Sequence, residues 1–173
     1  MRIFILFISL LFVRCSNTSQ VSSSKEKTVT IHVDQVLQHC GGMRPPKDYV
    51  NGYKTTSFKN ATFYIKTGDK NSAEEKVVST FTTDENGNAK VNLPNGSYCI
   101  VLAAKNDAYT NFYEKITNVD EYTTFDDECI RDWYLKCDAS LKVKESKTFS
   151  FQIHHNCGYG FNPCLKYTGP PQP

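Results

Sequence analysis

The sequence predicts an all-β sandwich, and three features carry that prediction. Five short runs alternate apolar and polar residues with the period of a strand that buries one face, asparagine–glycine turns fall between some of them, and an even set of cysteines follows an export-type leader. In the first run Val29, Ile31 and Val33 fall on one side, with Thr30, His32 and Asp34 on the other. Gly41, Gly42, Pro45, Pro46 and Gly52 then interrupt any period, so 41–54 reads as an irregular loop. The strand period returns in Ala61, Phe63 and Ile65, in Ala89, Val91 and Leu93, in Tyr98, Ile100 and Leu102, and in Phe149, Phe151 and Ile153.

Asn86-Gly87 and Asn95-Gly96 have the chemistry of tight reversals, and Pro94 starts the second. Gly96 is expected at positive φ in a hairpin between inward-facing Leu93 and Tyr98, with Gly87 in the more exposed turn. Ile130, Trp133, Tyr134 and Cys137 stand near helical spacing, which predicts one short helix within 120–137, clamped over a sheet edge or face. The tail 157–173, rich in Gly and Pro, reads as extended coil fixed by its cysteines. Short strands at these intervals fit a sandwich rather than βαβ units.

At 173 residues the chain suits one domain. Its net charge is +2 and its basic residues are scattered, so no footprint for nucleic acid is present. Met1-Arg2 and the apolar run 3–13, broken only by Ser9, read as a secretory signal; the run is far shorter than the roughly 20 residues of a spanning helix. Cys15 and a polar, Ser-rich stretch follow, an order that resembles a bacterial lipoprotein, although Arg14 stands where that pattern has a small residue. The resemblance implies a lipid on Cys15 and anchoring to the outer membrane of a bacterial cell envelope; the alternative is free secretion, with Cys15 lost or left as an odd thiol. The expected organisation is signal 1–14, lipidated cysteine and tether 15–27, sandwich 28–156 and tail 157–173.

Cys40, Cys99, Cys129, Cys137, Cys157 and Cys164 are then expected to be disulfide-bonded, as befits an oxidising compartment. Six cysteines allow fifteen pairings. The nearest neighbours along the chain, Cys157 with Cys164 and Cys129 with Cys137, are the first expected staples.

The stretch Thr83-Asp84-Glu85-Asn86-Gly87 followed by a short run and then Leu93-Pro94-Asn95-Gly96-Ser97-Tyr98 resembles the carboxypeptidase regulatory-like and Cna-B families of transthyretin-like sandwiches, which carry T-D-x-x-G and L-P-x-G-x-Y. The resemblance implies a transthyretin-like (prealbumin-like) fold, and it implies little about activity. Some Cna-B domains form an internal Lys–Asn isopeptide bond from a buried lysine early in the domain; none stands between Val29 and Val33. Gly41-Gly42-Met43-Arg44-Pro45-Pro46 after His39-Cys40, with Asn162-Pro163-Cys164, is similar to small Bacteroidetes-type lipoproteins, a likeness that carries no activity.

The residues offer three candidate chemistries. His39, His154 and His155, with Cys40 and Cys157, would come together if the first and last strands lay side by side, and could hold zinc or copper; their spacing matches no zinc finger or ribbon, however, and oxidised cysteines with half-exposed strand-end histidines account for them without a metal. Asp84, Asn86 and Asn88 alternate like the start of a calcium loop but lack its glycine and distal glutamate, and a plain turn accounts for them. Tyr109, Phe112, Tyr113, Tyr122, Phe125, Trp133 and Tyr134 concentrate in one third of the chain, where they form either a satellite core or a surface for sugar or peptide, with Tyr109, Tyr113, Trp133 and Tyr134 the candidates for contact. No pattern sets a nucleophile beside a base. The sequence therefore predicts a non-enzymatic, cofactor-free exported lipoprotein, binding or structural in role, with an envelope protein or glycan as partner; an envelope metal-binding protein and a carbohydrate-binding module are the alternatives.

Overall fold

The alternation that opens at Val29 becomes one long strand, β1 (Lys27–Gln38), with Val29, Ile31 and Val33 fully buried. The computed structural model describes residues 25–42, 44–144 and 147–170, so the signal run, Cys15 and most of the tether lie outside the described residues. After β1 come β2 (Tyr53–Ser57), β3 (Thr62–Thr67), β4 (Val77–Thr82), β5 (Asn88–Leu93) and β6 (Gly96–Leu102). An insertion then carries a 3-10 turn (Ala103–Lys105), α1 (Tyr109–Thr117), β7 (Thr123–Phe125) and α2 (Asp127–Leu135). β8 (Ala139–Val143), β9 (Lys147–His155) and β10 (Leu165–Tyr167) complete the order.

All five runs expected to be strands are strands. β1 is the spine of the first sheet: along one side β5 pairs antiparallel with its first half and β2 with its second, end to end, while β9 runs parallel along the other side. The second sheet is antiparallel, in the order β4-β3-β6-β8. Val29, Ile31, Leu93 and Ile153 from the first sheet face Phe63, Ile65, Ile100 and Leu141 from the second. Phe63 stacks on Phe81 and meets Phe151 edge-on. Burying each such side chain contributes about 1.5–3 kcal/mol relative to exposure.

Both turn motifs cross between the sheets instead of closing hairpins, because β4 and β6 belong to the second sheet and β5 to the first. This corrects the hairpin expected at 94–96. Leu93 and Tyr98 do face inward, each from its own sheet. Gly96, however, lies outside the left-handed region; its Cβ position is 3.0 Å from the hydroxyl of Tyr98, which donates to the Pro94 carbonyl at 2.8 Å and ties the corner. The demanding glycine is Gly87, at φ +75° and buried rather than exposed. It stands where β5 gives way to β2 along β1. There Val33 donates its N–H to the Gly87 carbonyl at 2.8 Å and accepts from Phe58 N–H at 2.9 Å, leaving a Gly87 Cβ only 2.5 Å from the Val33 oxygen. Asp84 caps this turn as expected, its Oδ1 accepting from the N–H groups of Asn86 and Asn88.

The disulfides are Cys40–Cys157, Cys99–Cys137 and Cys129–Cys164, so the nearest-neighbour pairs are wrong. Cys129 lies in the first turn of α2 and Cys137 beyond its end, a separation of about 12 Å at 1.5 Å per residue, beyond disulfide reach. Cys157 and Cys164 are drawn apart because each bonds a different element, the end of β1 and α2 respectively. The structure also adds α1, opens β2 inside the stretch expected to be loop, and pairs β10 of the tail with β7 as a small ribbon.

Because β9 is parallel to β1, both strands start at one pole, together with the corner between β5 and β6; Lys27 Nζ donates to the Lys144 carbonyl there at 2.7 Å. The ends of β1, β6 and β9 reach the opposite pole, where the insertion leaves and folds back over the outer face of the second sheet.

The two glycines should respond oppositely to the ranking their sequence context predicts. Gly87→Ala is expected to cost about 2 kcal/mol or more, since positive φ and a backbone clash coincide, and Gly96→Ala less than about 1 kcal/mol, since only a tyrosine ring must give way. Denaturant melts measure both, and a costlier Gly96→Ala would contradict the corner geometry.

Candidate functional site

The insertion is built from two short amphipathic helices. In α1, Tyr109, Phe112, Tyr113 and Ile116 recur at helical spacing on one face; in α2, Ile130, Trp133 and Tyr134 answer them. Asp126 caps α2 by accepting from Cys129 N–H at 2.9 Å, and Asp127 and Glu128 lie favourably in its first turn. The rings interlock: Phe112 meets Trp133 at 5.4 Å and Tyr134 at 5.0 Å, and Tyr109 meets Tyr134 at 5.1 Å. The aromatic cluster is thus a satellite core, with Cys129–Cys164 fastening the tail to it. Tyr134 is buried and its hydroxyl donates to the Asp107 carbonyl; Tyr109 and Tyr113 are half-buried, and the Tyr113 hydroxyl donates to Asp127. Of the four rings proposed for contact, Trp133 faces a cleft.

That cleft, about 300 Å³, lies at the far pole between the insertion, the end of β9 and the tail; Trp133, Phe161, Lys105, Asp138, Gln152 and His154 line it. Lys105 is 1% exposed, its ammonium donating to the Lys136 carbonyl at 2.6 Å and to Asp138 Oδ1 at 2.9 Å, and lying 5.3 Å from the Trp133 ring centre. Asp138 accepts from Leu102 N–H through its other oxygen at 2.7 Å. Burial pushes the Lys105 ammonium below the ordinary lysine value, and Asp138 opposes that shift. The deep charges of the cleft are therefore spent on each other and on backbone, as buried charges must be.

A second buried polar group joins the insertion to the sandwich. Lys66, on the outer face of β3, donates to Asn71 Oδ1 at 2.7 Å, while the Asn71 amide nitrogen donates to the carbonyls of Lys105 and Tyr134 at 2.8 and 2.9 Å. Asn71 is fully buried and Lys66 3% exposed; burial lowers the Lys66 ammonium below the ordinary lysine value. β1 has no lysine between Val29 and Val33, as the sequence shows, but buried lysines occur in the second sheet and the insertion. Nothing in the period marks them: Lys66 falls on the polar side of β3, and only the insertion folding over that side buries it.

The histidines diverge. β1 and β9 do lie side by side, and Cys40 and Cys157 meet, but as a disulfide. His39 packs edge-on to Tyr49 and His155 edge-on to Phe161, while His154 faces the cleft. Among the described residues, no group of three or more His, Cys, Asp or Glu is placed to hold a metal ion. The Asp84, Asn86 and Asn88 set forms the turn described above, with Asn88 Oδ1 also 2.9 Å from His32 Nδ1. No helix among the described residues is long and apolar enough to cross a membrane.

No protein-family model matches the chain, and no curated protein matches it. Solved structures with a partial likeness include the Bacillus anthracis TIE protein, at 18% identity and a TM-score of 0.32 over 73% of this chain and 17% of that one. A double mutant of shaft pilin SpaA from Lactobacillus rhamnosus GG aligns at 13% identity and a TM-score of 0.37, over 75% of this chain and 50% of that one. The N-terminal domain of the same pilin aligns at 12% identity and a TM-score of 0.33, over 86% of this chain and all of that domain.

Two substitutions separate the buried charges. Asp138→Ala should cost roughly 3 kcal/mol or more, because it strands the Lys105 ammonium and the Leu102 N–H, whereas Lys66→Met, which strands the neutral Asn71 Oδ1 and leaves no charge behind, should cost less, about 1–2 kcal/mol at neutral pH. With its ammonium pKa lowered in the fold, Lys66 binds more protons in the unfolded chain over the alkaline range below 10.5, so its contribution to stability rises with pH there. Lys66→Met should flatten that rise. Denaturant melts at neutral and alkaline pH give both results, and an unchanged slope would mean that Lys66 is solvated.

Proposed function

We propose that this protein is a non-enzymatic module of the bacterial cell envelope, tethered through Cys15 and presenting its far pole for binding. The observation that carries the reading is the polarity of β1. The strand begins at Lys27, directly after the Ser-rich stretch, and ends at the pole that bears the cleft and the insertion. At about 3.3 Å per residue β1 spans roughly 40 Å, so a domain held by its N-terminal side carries its cleft well clear of the headgroups.

Two further features support the reading. All six domain cysteines are paired, in keeping with an oxidising compartment outside the cytoplasm. The side chains with reactive character, Lys66, Asn71, Lys105 and Asp138, are engaged in hydrogen bonds that join the insertion to the sandwich, which is a structural use. Stapled sandwiches of this kind resist unfolding outside the cell without needing a large core.

Cys15→Ser is expected to move the protein from the membrane fraction to the soluble fraction, with the parent carrying an acylated N-terminal cysteine by mass spectrometry. Unchanged fractionation, or a mature N-terminus downstream of Cys15, would contradict the tether.

A further inference from the structure

We propose that β9 is a docking edge, on which an extended, non-basic segment of a partner protein adds a strand and seats one large apolar side chain in the cleft beside Trp133. A strand that pairs on one side only leaves a row of backbone N–H and C=O groups open, and soluble proteins protect such edges with lysines, prolines, bulges or short length. The other edge strands of this sandwich follow that rule. β2 carries Lys54, β5 Lys90 and β8 Lys142, and β4 pairs through a register shift opposite Ile65 and Lys66.

β9 carries its one lysine, Lys147, at its very first residue and leaves the rest of the strand unprotected. It pairs only with β1 among the described strands, through nine residues in unbroken register, and from Thr148 to His155 it has no lysine, arginine, carboxylate or proline. Its outward side chains, Thr148, Ser150, Gln152 and His154, are exposed. Its inward rings, Phe149 and Phe151, are only half-buried, so the core is open along this edge. A strand laid on β9 would satisfy the open backbone groups and cover both rings.

The cleft identifies the occupant. It is in line with the strand, bordered by Gln152 and His154 on β9 and walled by Trp133 and Phe161, with Lys105 and Asp138 paired inside and the exposed Lys136 at its rim. A recess of about 300 Å³ walled by Trp133 and Phe161 accepts a protruding apolar side chain, and Lys136 at its rim and Lys147 at the start of β9 disfavour a basic segment. Two copies meeting edge to edge would bury only about 300 Å² a side along a strand of this length, below the roughly 800 Å² per partner of a stable assembly. A single extended chain avoids that limit because it can cover the edge and enter the recess. The inference goes beyond tethering and does not depend on it: Cys15→Ser protein should bind the same peptides.

The test uses the exported full-length protein and an array of ten-residue peptides of alternating Thr, Ser and Val, each with Phe, Trp, Leu or Ile at one varied position. Binding is expected for peptides with the large residue toward one end. For such a peptide, N-methylation of the alternate amides that face β9 should lower affinity at least about tenfold, and methylation of the other set should leave it within about twofold, the pattern of backbone pairing. Trp133→Ala should weaken binding of the peptide with the large residue and not of its all-Thr/Ser/Val parent. If that variant fails to fold, the paired methylated peptides still decide the matter. The proposal is overturned if no peptide binds, if both methylation patterns act alike, if the protein self-associates through β9 instead, or if an oligosaccharide array binds through Trp133 while peptides do not.

Discussion

The parallel pairing of β1 with β9 is the constraint on which the rest of the molecule depends. Parallel neighbours cannot be joined by a tight turn, so the whole sandwich between them serves as the connection. It returns the chain to the starting pole before β9 begins, and it brings Cys40 to Cys157 across 117 residues of sequence. Closing so long a loop covalently removes about 4–5 kcal/mol of chain entropy from the unfolded state. The same pairing gives the domain its polarity, with the start of β1 at one end and the cleft at the other, and among the described residues it leaves β9 paired along one side only.

The insertion depends on that frame. It leaves from the end of β6 and returns at β8, and Cys99–Cys137 fixes its base to the outer face of the second sheet. Covering that face buries Lys66 and Asn71 together with Cys99 and Val101. Buried ammonium groups are costly unless their donors are met, and here Asn71 meets that of Lys66, while Asp138 and the carbonyl of Lys136 meet that of Lys105. These contacts set the seating of the insertion more than they add to stability, since an apolar replacement of such groups is often tolerated. Trp133, held between Phe112 and the Lys105 ammonium, becomes a fixed wall of the cleft.

The legible part of the fold was whatever repeats with period two. Val29, Ile31 and Val33, or Phe149, Phe151 and Ile153, announce a strand with one buried face, and the sandwich follows. β4 and β8 escaped because Val77-Val78-Ser79 and Leu141-Lys142-Val143 are too short to stand out without their partners. Helix α1 carries a signal, the 109, 112, 113 and 116 spacing, which the density of aromatic residues around it obscures. Gly87 and Gly96 share a local sequence context, yet only Gly87 lies against another strand's backbone, a contact created by β2 and β5 meeting on Val33. The cleft was legible in pieces, as Trp133 in one cluster and His154 in another; only the β1–β9 pairing and the insertion bring them to one place. Lys105 and Asp138, 33 positions apart, have no pattern by which a sequence could join them.

Disulfide mapping of the unreduced, protease-digested protein by mass spectrometry tests the frame most directly. Parallel β1 and β9 put Cys40 beside Cys157, whereas an antiparallel β9 would carry Cys157 to the opposite pole. The linked peptides expected are Cys40–Cys157, Cys99–Cys137 and Cys129–Cys164. Recovery of Cys157–Cys164 or Cys129–Cys137 would contradict the strand order, the seating of the insertion and the position of the cleft together.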